Sequence, residues 1–237
     1  MSKLLCVYCA SSDRVDPKYV TAATQLGKLM VEQGWGLVYG GGKTGLMGAI
    51  ARSVKANGGR VVGVIPDFMK ARELAFDEAD ELITVITMRE RKLLMETRAD
   101  AFVTLPGGFG TLDETFELLT LMQTGRGAIA PTVLLDMPGD HFWRTMDEFI
   151  RAQLLPRGLI SASDLSLYRV CESTTDAVQE IVDFYKVFHS VRFVGKSLII
   201  RLNRQISGSD LEALNSDFGY LCKQGKFEFC EATPQEK

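Results

Sequence analysis

Glu114 stands at the end of a glycine-rich run, Pro106-Gly107-Gly108-Phe109-Gly110-Thr111-Leu112-Asp113-Glu114. A glycine loop that runs from a strand into a helix exposes backbone N–H groups, and these hold phosphate together with the positive helix end. The spacing places Glu114 in the first turn of that helix, where the ionised carboxylate is favoured. Such a carboxylate suits attack on an anomeric carbon, or stabilisation of an oxocarbenium-like centre, better than it suits proton donation. Taken alone, a glutamate there reads as a capping or surface residue, and only the adjoining loop points to chemistry. A second segment, Met88-Arg89-Glu90-Arg91-Lys92, opens a helix leading into the strand that carries the loop. Arg91 can therefore reach the same edge, clamp a phosphate or the ribose hydroxyls, and orient Glu114. Its competing reading is a solvated basic helix face.

An earlier glycine loop, Gly40-Gly41-Gly42-Lys43-Thr44-Gly45-Leu46-Met47-Gly48, also joins a strand to a helix. It is not a P-loop, because the glycine required five positions before Gly42 is Leu37. Gly40, Gly42 and Gly45 do satisfy the dinucleotide spacing, with Asp67 downstream, so a nicotinamide-linked oxidoreductase stays open. Against it, that fingerprint belongs to the first strand–helix turn, which here is Cys9-Ala10-Ser11-Ser12-Asp13. Ser11 and Ser12 read either as hydroxyl donors at the sheet edge or as turn and cap residues. Two glycine loops converging on one edge suit a mononucleotide held by its phosphate.

Positioning these residues requires parallel strands alternating with helices. Apolar and β-branched runs predict strands at Leu4–Cys9, Gly36–Tyr39, Arg60–Ile65, Leu82–Val85, Ala101–Leu105 and Thr132–Leu135. Amphipathic stretches predict helices at Pro17–Gln33, Gly45–Asn57, Met88–Arg98, Gly110–Gln123, Phe142–Leu154 and Thr175–Phe188. The fold class is α/β, a Rossmann-like doubly wound parallel sheet over residues 1–188, with a small C-terminal α+β appendage over 189–237. The appendage reads as an apolar run at Lys196–Leu202, a helix at Ser209–Lys223 with Ser209 as its cap, the segment Phe227–Cys230, and a frayed tail, Ala232–Lys237.

Composition removes several classes. Thirty acidic residues against 27 basic ones give a net charge of −3, which provides no field for nucleic acid. The basic residues of the appendage are diluted by acidic ones and read as a solvated face. The apolar start is too short for a signal peptide and no later run reaches membrane-spanning length, so the expectation is a cytoplasmic protein. Cys6 and Cys9 sit inside a strand pattern and read as buried, inert thiols. His141 and His189 fit no zinc motif and there is no G-x-S-x-G elbow, so metal-free glycosidic cleavage without a cofactor remains.

The three motifs, taken together, resemble the Lonely Guy family of phosphoribohydrolases, whose P-G-G-x-G-T-x-x-E pattern is matched in full from Pro106 to Glu114. The resemblance covers about Lys3 to Phe188. It implies a homodimer that hydrolyses a nucleoside 5′-monophosphate, AMP or an N6-substituted AMP, to the free base and ribose 5-phosphate. It implies catalytic roles for Arg91 and Glu114. Gly107, Gly108, Gly110 and Thr111 would bind phosphate and ribose, Ser12, Gly42 and Met88 would line the pocket, and Lys92 would count among the substrate-binding residues. Members are often labelled lysine decarboxylases, yet no Ser-x-His-Lys segment or other anchor for pyridoxal phosphate is present. Ala10 stands where the family usually has glycine and Arg89 where histidine is common. Related Rossmann-like proteins carry phosphorylated pterin cofactors without cleaving them, which keeps a carrier as the alternative.

Overall fold

The structure, a computed structural model, describes residues 2–70 and 75–231. The tail expected to fray, Ala232–Lys237, lies outside the described residues. The chain divides into two compact units, Met1–Ile181 and Val182–Lys237.

In the first unit seven parallel strands form one sheet in the order β4-β3-β2-β1-β5-β6-β7. They are β1 (Leu4–Tyr8), β2 (Gly36–Tyr39), β3 (Val61–Pro66), β4 (Glu81–Val85), β5 (Ala101–Thr104), β6 (Thr132–Leu135) and β7 (Arg169–Cys171). β1, β2, β3, β5 and β6 are buried along their whole length, as strands covered on both faces must be, and this is why their sequences are unbroken apolar runs. The chain winds outward from β1 to β4 and returns to β5 on the other side of β1. The carboxyl ends of β1 and β5 therefore part at a switch point, where open α/β sheets bind ligands.

The helices of this unit are α1 (Pro17–Glu32), α2 (Gly45–Ala56), α3 (Asp67–Lys70), α4 (Met88–Arg98), α5 (Phe109–Gln123) and α6 (Phe142–Phe149). α7 (Thr174–Val187) spans the division between units. Strand alternation sorts them onto two faces. Leu4, Cys6, Tyr8, Val38, Val62, Val64 and Phe102 form one cluster with Met95 of α4 and Leu118 of α5. α1 and α2 pack on each other and against β2. α4 begins with a capping box, in which Thr87 Oγ1 accepts from the Glu90 amide at 3.2 Å and the Glu90 carboxylate accepts from the Thr87 amide.

The expected elements recur with four differences. β7 was not anticipated: with three residues at the sheet edge, beginning with an exposed arginine, it shows no strand period. α3 has only four residues and is likewise too short for a periodic signal. The helix expected over Phe142–Leu154 is α-helical to Phe149 and widens into a π turn at Ile150–Leu154, ahead of Pro156.

The fourth difference lies in the second unit. Its antiparallel hairpin joins β8 (Phe188–Val194), which the sequence did not suggest, to β9 (Ser197–Leu202). It is followed by α8 (Gly208–Phe218), whose cap is Ser207 in a capping box with Asp210, rather than Ser209. The segment Phe227–Cys230 is not a strand; Asn215 holds Phe227 by both its amide and its carbonyl.

Candidate active site

Arg91 is on the first turn of α4 and is only 5% exposed, which removes the solvated-face reading. Its Nε donates to the Val64 carbonyl at 3.2 Å and its Nη2 to the Gly40 carbonyl at 2.9 Å, at the carboxyl ends of β3 and β2. The guanidinium lies so close to Gly40 that a β-carbon there would overlap Nη2 and come within 2.9 Å of Cζ. The first glycine of the apparent dinucleotide fingerprint is therefore required by an arginine of the same chain.

The other glycines of that loop also answer to internal packing. Gly45 has a left-handed φ of 55°, and a β-carbon there would meet the Ser11 carbonyl carbon at 2.6 Å. Gly42 forms an isolated bridge with Ala75, and the Gly41 carbonyl accepts from the Phe76 amide at 3.0 Å. The start of α2 is already occupied. The Gly45 amide donates to Asp13 Oδ1 at 2.7 Å, and the Leu46 amide donates to the Ala10 carbonyl at 3.0 Å. The positive end of α2 thus carries the protein's own carboxylate.

The start of α5 differs. Its cap residue, Gly108, has no side chain with which to cap it, and Gly108, Phe109 and Gly110 are exposed. A β-carbon at Gly108 or Gly110 would meet nothing within 4 Å. The protein's own packing does not require these two glycines, so the space beside the amides is open to a ligand. Gly107 is different, because a β-carbon there would crowd the buried Thr111 side chain, 2.7 Å from its Cβ.

Glu114 is half-buried. Because α5 begins at Phe109, Glu114 falls in the second turn rather than the first, and the influence of the helix end, which fades within one turn, is weaker than the sequence suggested. Burial pushes the Cys9 thiol well above its ordinary value, the Glu114 carboxylate pushes it further, and Arg91 opposes both. Glu114 and Arg91 thus act on one point at the carboxyl end of β1.

The remaining candidates lie around this edge. Ser12 is exposed, and its Oγ accepts from the Arg14 amide at 3.2 Å, the turn chemistry weighed from sequence. Met88 is 36% exposed at the first position of α4. Lys92 is held by Asp113, at 2.9 Å, and by Glu117. A groove of about 610 Å³ between α4 and α5 is lined by Arg89, Lys92, Leu93, Asp113, Phe116, Glu117 and Thr120. Among the described residues no group of three or more His, Cys, Asp or Glu side chains gathers as a metal site would need. Sequence reasoning missed Val64 and the structural tasks of Asp13 and Gly40. Asp13 gave a local signal as an Asx residue in the first strand–helix turn, and Gly40 gave one only as part of the dinucleotide spacing.

Gly40→Ala tests the link between glycine and arginine. The added methyl must displace the Arg91 guanidinium, and a shift of about 1 Å at such a group costs on the order of 10²-fold in turnover. Measured kcat should fall by that factor while circular dichroism stays native. Unchanged kcat would mean that the position of the guanidinium does not matter.

Residues 47–181 match a family model described as "Possible lysine decarboxylase". The chain is 42% identical over 176 residues to the cytokinin riboside 5′-monophosphate phosphoribohydrolase of Mycobacterium tuberculosis, covering 73% of this chain and 90% of that protein. It is 35% identical over 189 residues to an Arabidopsis thaliana enzyme of the same name, covering 80% and 85%. In fold it is similar to the molybdenum cofactor carrier protein of Chlamydomonas reinhardtii, with a TM-score of 0.60 and 21% identity over 77% of this chain and 98% of that one. A molybdenum cofactor binding protein from Rippkaea orientalis gives 0.59 at 19% identity, over 78% and 98%. The matched model, these identities over most of the chain, and the intact Pro106–Glu114 motif lead to one conclusion: the chain belongs to the Lonely Guy family, the phosphoribohydrolases whose family description still speaks of a possible lysine decarboxylase.

Proposed function

We propose that this protein hydrolyses the N-glycosidic bond of a purine nucleoside 5′-monophosphate, AMP or an N6-substituted AMP, releasing the base and ribose 5-phosphate. The observation that carries the reading is the exposed glycine start of α5, with Glu114 one turn further on and Arg91 buried at the same sheet edge. The 5′-phosphate sits on the amides of Gly107–Thr111, and the ribose lies over the end of β1. Ser12, Gly42 and Met88 border the pocket. Arg91, anchored by its bonds to Val64 and Gly40, orients the sugar phosphate and Glu114.

In the reaction the C1′–N bond breaks and its electron pair goes to the base, which takes up a proton. The oxygen of a water ends on C1′. Glu114 stabilises the developing positive charge at C1′, or bonds to it transiently before water replaces it. The carrier alternative shares the fold at 19–21% identity, and it gives a carboxylate beside a bound phosphate nothing to do.

The enzyme works as a homodimer. The exposed apolar residues Leu93, Phe109 and Phe116 on α4 and α5 give a second copy a surface to cover. Light scattering should report twice the 26.2 kDa chain mass, and Leu93→Glu should shift it toward the monomer; a monomeric parent would end this part of the reading.

Incubation with AMP and with isopentenyl-AMP should release base from at least one of them. Glu114→Gln should lower that turnover by at least ~10²-fold with nucleotide affinity spared. Nucleotide binding without turnover of either substrate by the parent would instead favour the carrier.

Gly110→Ala separates binding from folding. With no neighbour within 4 Å of the new methyl, helix propensity should raise stability by up to about 1 kcal/mol. The same methyl should crowd the phosphate and weaken AMP binding by about tenfold, a cost near 1.4 kcal/mol. Full affinity in this variant would place the phosphate elsewhere.

A further inference from the structure

We propose that Lys92 is a positioning residue rather than a phosphate ligand: by gripping Asp113 and Glu117 it ties α4 to α5 and fixes the separation of Arg91 and Glu114. The inference rests on the glycosidase reading and gives the lysine of the Met88–Lys92 motif a different task from the one the family resemblance implies.

The argument starts from sequence adjacency across two helices. Arg91 and Lys92 are consecutive on α4, and Asp113 and Glu114 are consecutive on α5. One residue step turns a helix by about 100°, so each helix points one member of its pair toward the sheet edge and the other toward its neighbour. The inward members are Arg91, bonded to Val64 and Gly40, and Glu114, which bears on the Cys9 thiol. The other two meet directly: Lys92 Nζ donates to Asp113 Oδ2 at 2.9 Å. Glu117, one turn along α5 from Asp113, gives the same ammonium a second carboxylate.

Burial separates this pair from an ordinary surface bridge. The Lys92 side chain is 16% exposed, against 61% for Asp113 and 41% for Glu117. Its stem lies in the α4–α5 groove beside Leu93 and Phe116. The two carboxylates raise the affinity of the ammonium for its proton although burial opposes this. An ammonium already shared by two carboxylates is largely neutralised as a phosphate ligand. The exposed glycine turn at Gly108–Gly110 offers phosphate backbone donors in its place. Lys92, Asp113 and Glu117 thus form a clamp of which the lysine adjoins Arg91 and the aspartate adjoins Glu114, the two groups that touch the substrate.

The test uses the full chain, AMP as substrate and ribose 5-phosphate as a ligand that cannot be cleaved. Lys92→Met should lower kcat by at least about tenfold, with the calorimetric Kd for ribose 5-phosphate within about twofold of the parent. The double variant Lys92→Glu with Asp113→Lys again places one ammonium between two carboxylates, and it should restore most of the lost kcat. A Kd raised tenfold or more with kcat retained would overturn the proposal and make Lys92 a phosphate ligand. Unchanged kcat and Kd would overturn it by making the clamp dispensable. Light scattering and circular dichroism identify a variant that loses its mass or fold, and in that event Lys92→Arg, which keeps the charge, must retain kcat for the proposal to stand. Absence of base release by the parent protein would be recognised separately, since it sinks the glycosidase reading and this role with it.

Discussion

The architecture of the candidate site depends on burying one guanidinium at the end of a parallel sheet. Removing a charge from water costs several kcal/mol unless hydrogen bonds replace the lost hydration. The carboxyl ends of β2 and β3 supply those bonds through the Gly40 and Val64 carbonyls, the first of which leaves the ladder as the chain turns away into the glycine loop. The close approach requires position 40 to lack a side chain. It also sets where α4 begins, because Arg91 must point inward from the first turn, and the Thr87–Glu90 capping box fixes that start. A requirement of one side chain is in this way distributed over two strands, a loop and a helix.

The two helix ends at the switch point show how the chain separates structure from binding. α2 and α5 both follow a glycine loop, and β1 alone separates the strands that precede them. At α2 the first amide is taken by Asp13 and the next by Ala10, so the positive end is neutralised from within. At α5 the cap residue is Gly108, without a side chain, and two glycines lie against open space. The proposed phosphate seat is accordingly the start of α5 rather than that of α2. Two of the three glycines in the dinucleotide spacing are therefore set by packing: Gly40 answers to Arg91 and Gly45 to a left-handed turn against Ser11.

This explains what was legible in the sequence. β1, β2, β3, β5 and β6 were visible because strands buried on both faces must be apolar throughout, β4 by its run Leu82-Ile83-Thr84-Val85, and the α1, α2, α4 and α5 ranges by their helical period. β7, with three residues at an edge, carries no such signal. β8 interleaves His189, Ser190 and Arg192 with apolar residues and begins directly after α7, so the helical pattern runs into it without a break. Of the site, the glycine loop and Glu114 were legible because local spacing defines them. The burial of Arg91 was not, since its neighbours Arg89, Glu90 and Lys92 read as a solvated face, and its carbonyl partners are 27 and 51 residues distant. Glu114 was placed one turn too early because Phe109, between two glycines, gives no sign of starting a helix.

The thiols beneath the site bear on which group performs the chemistry. Cys9 and Cys6 lie under Glu114 and Arg91, and a cysteine at a strand end beside an arginine is where an activated thiolate would be sought. Burial nevertheless pushes both thiols well above their ordinary values, and Glu114 adds to this more strongly than Arg91 opposes it. Tyr8, between them in sequence, is held neutral by burial first and by Cys6 and Glu114 after it. The floor of the site is therefore uncharged at neutral pH and contributes no nucleophile. On the proposed reading, the chemistry at this edge falls to the carboxylate of Glu114.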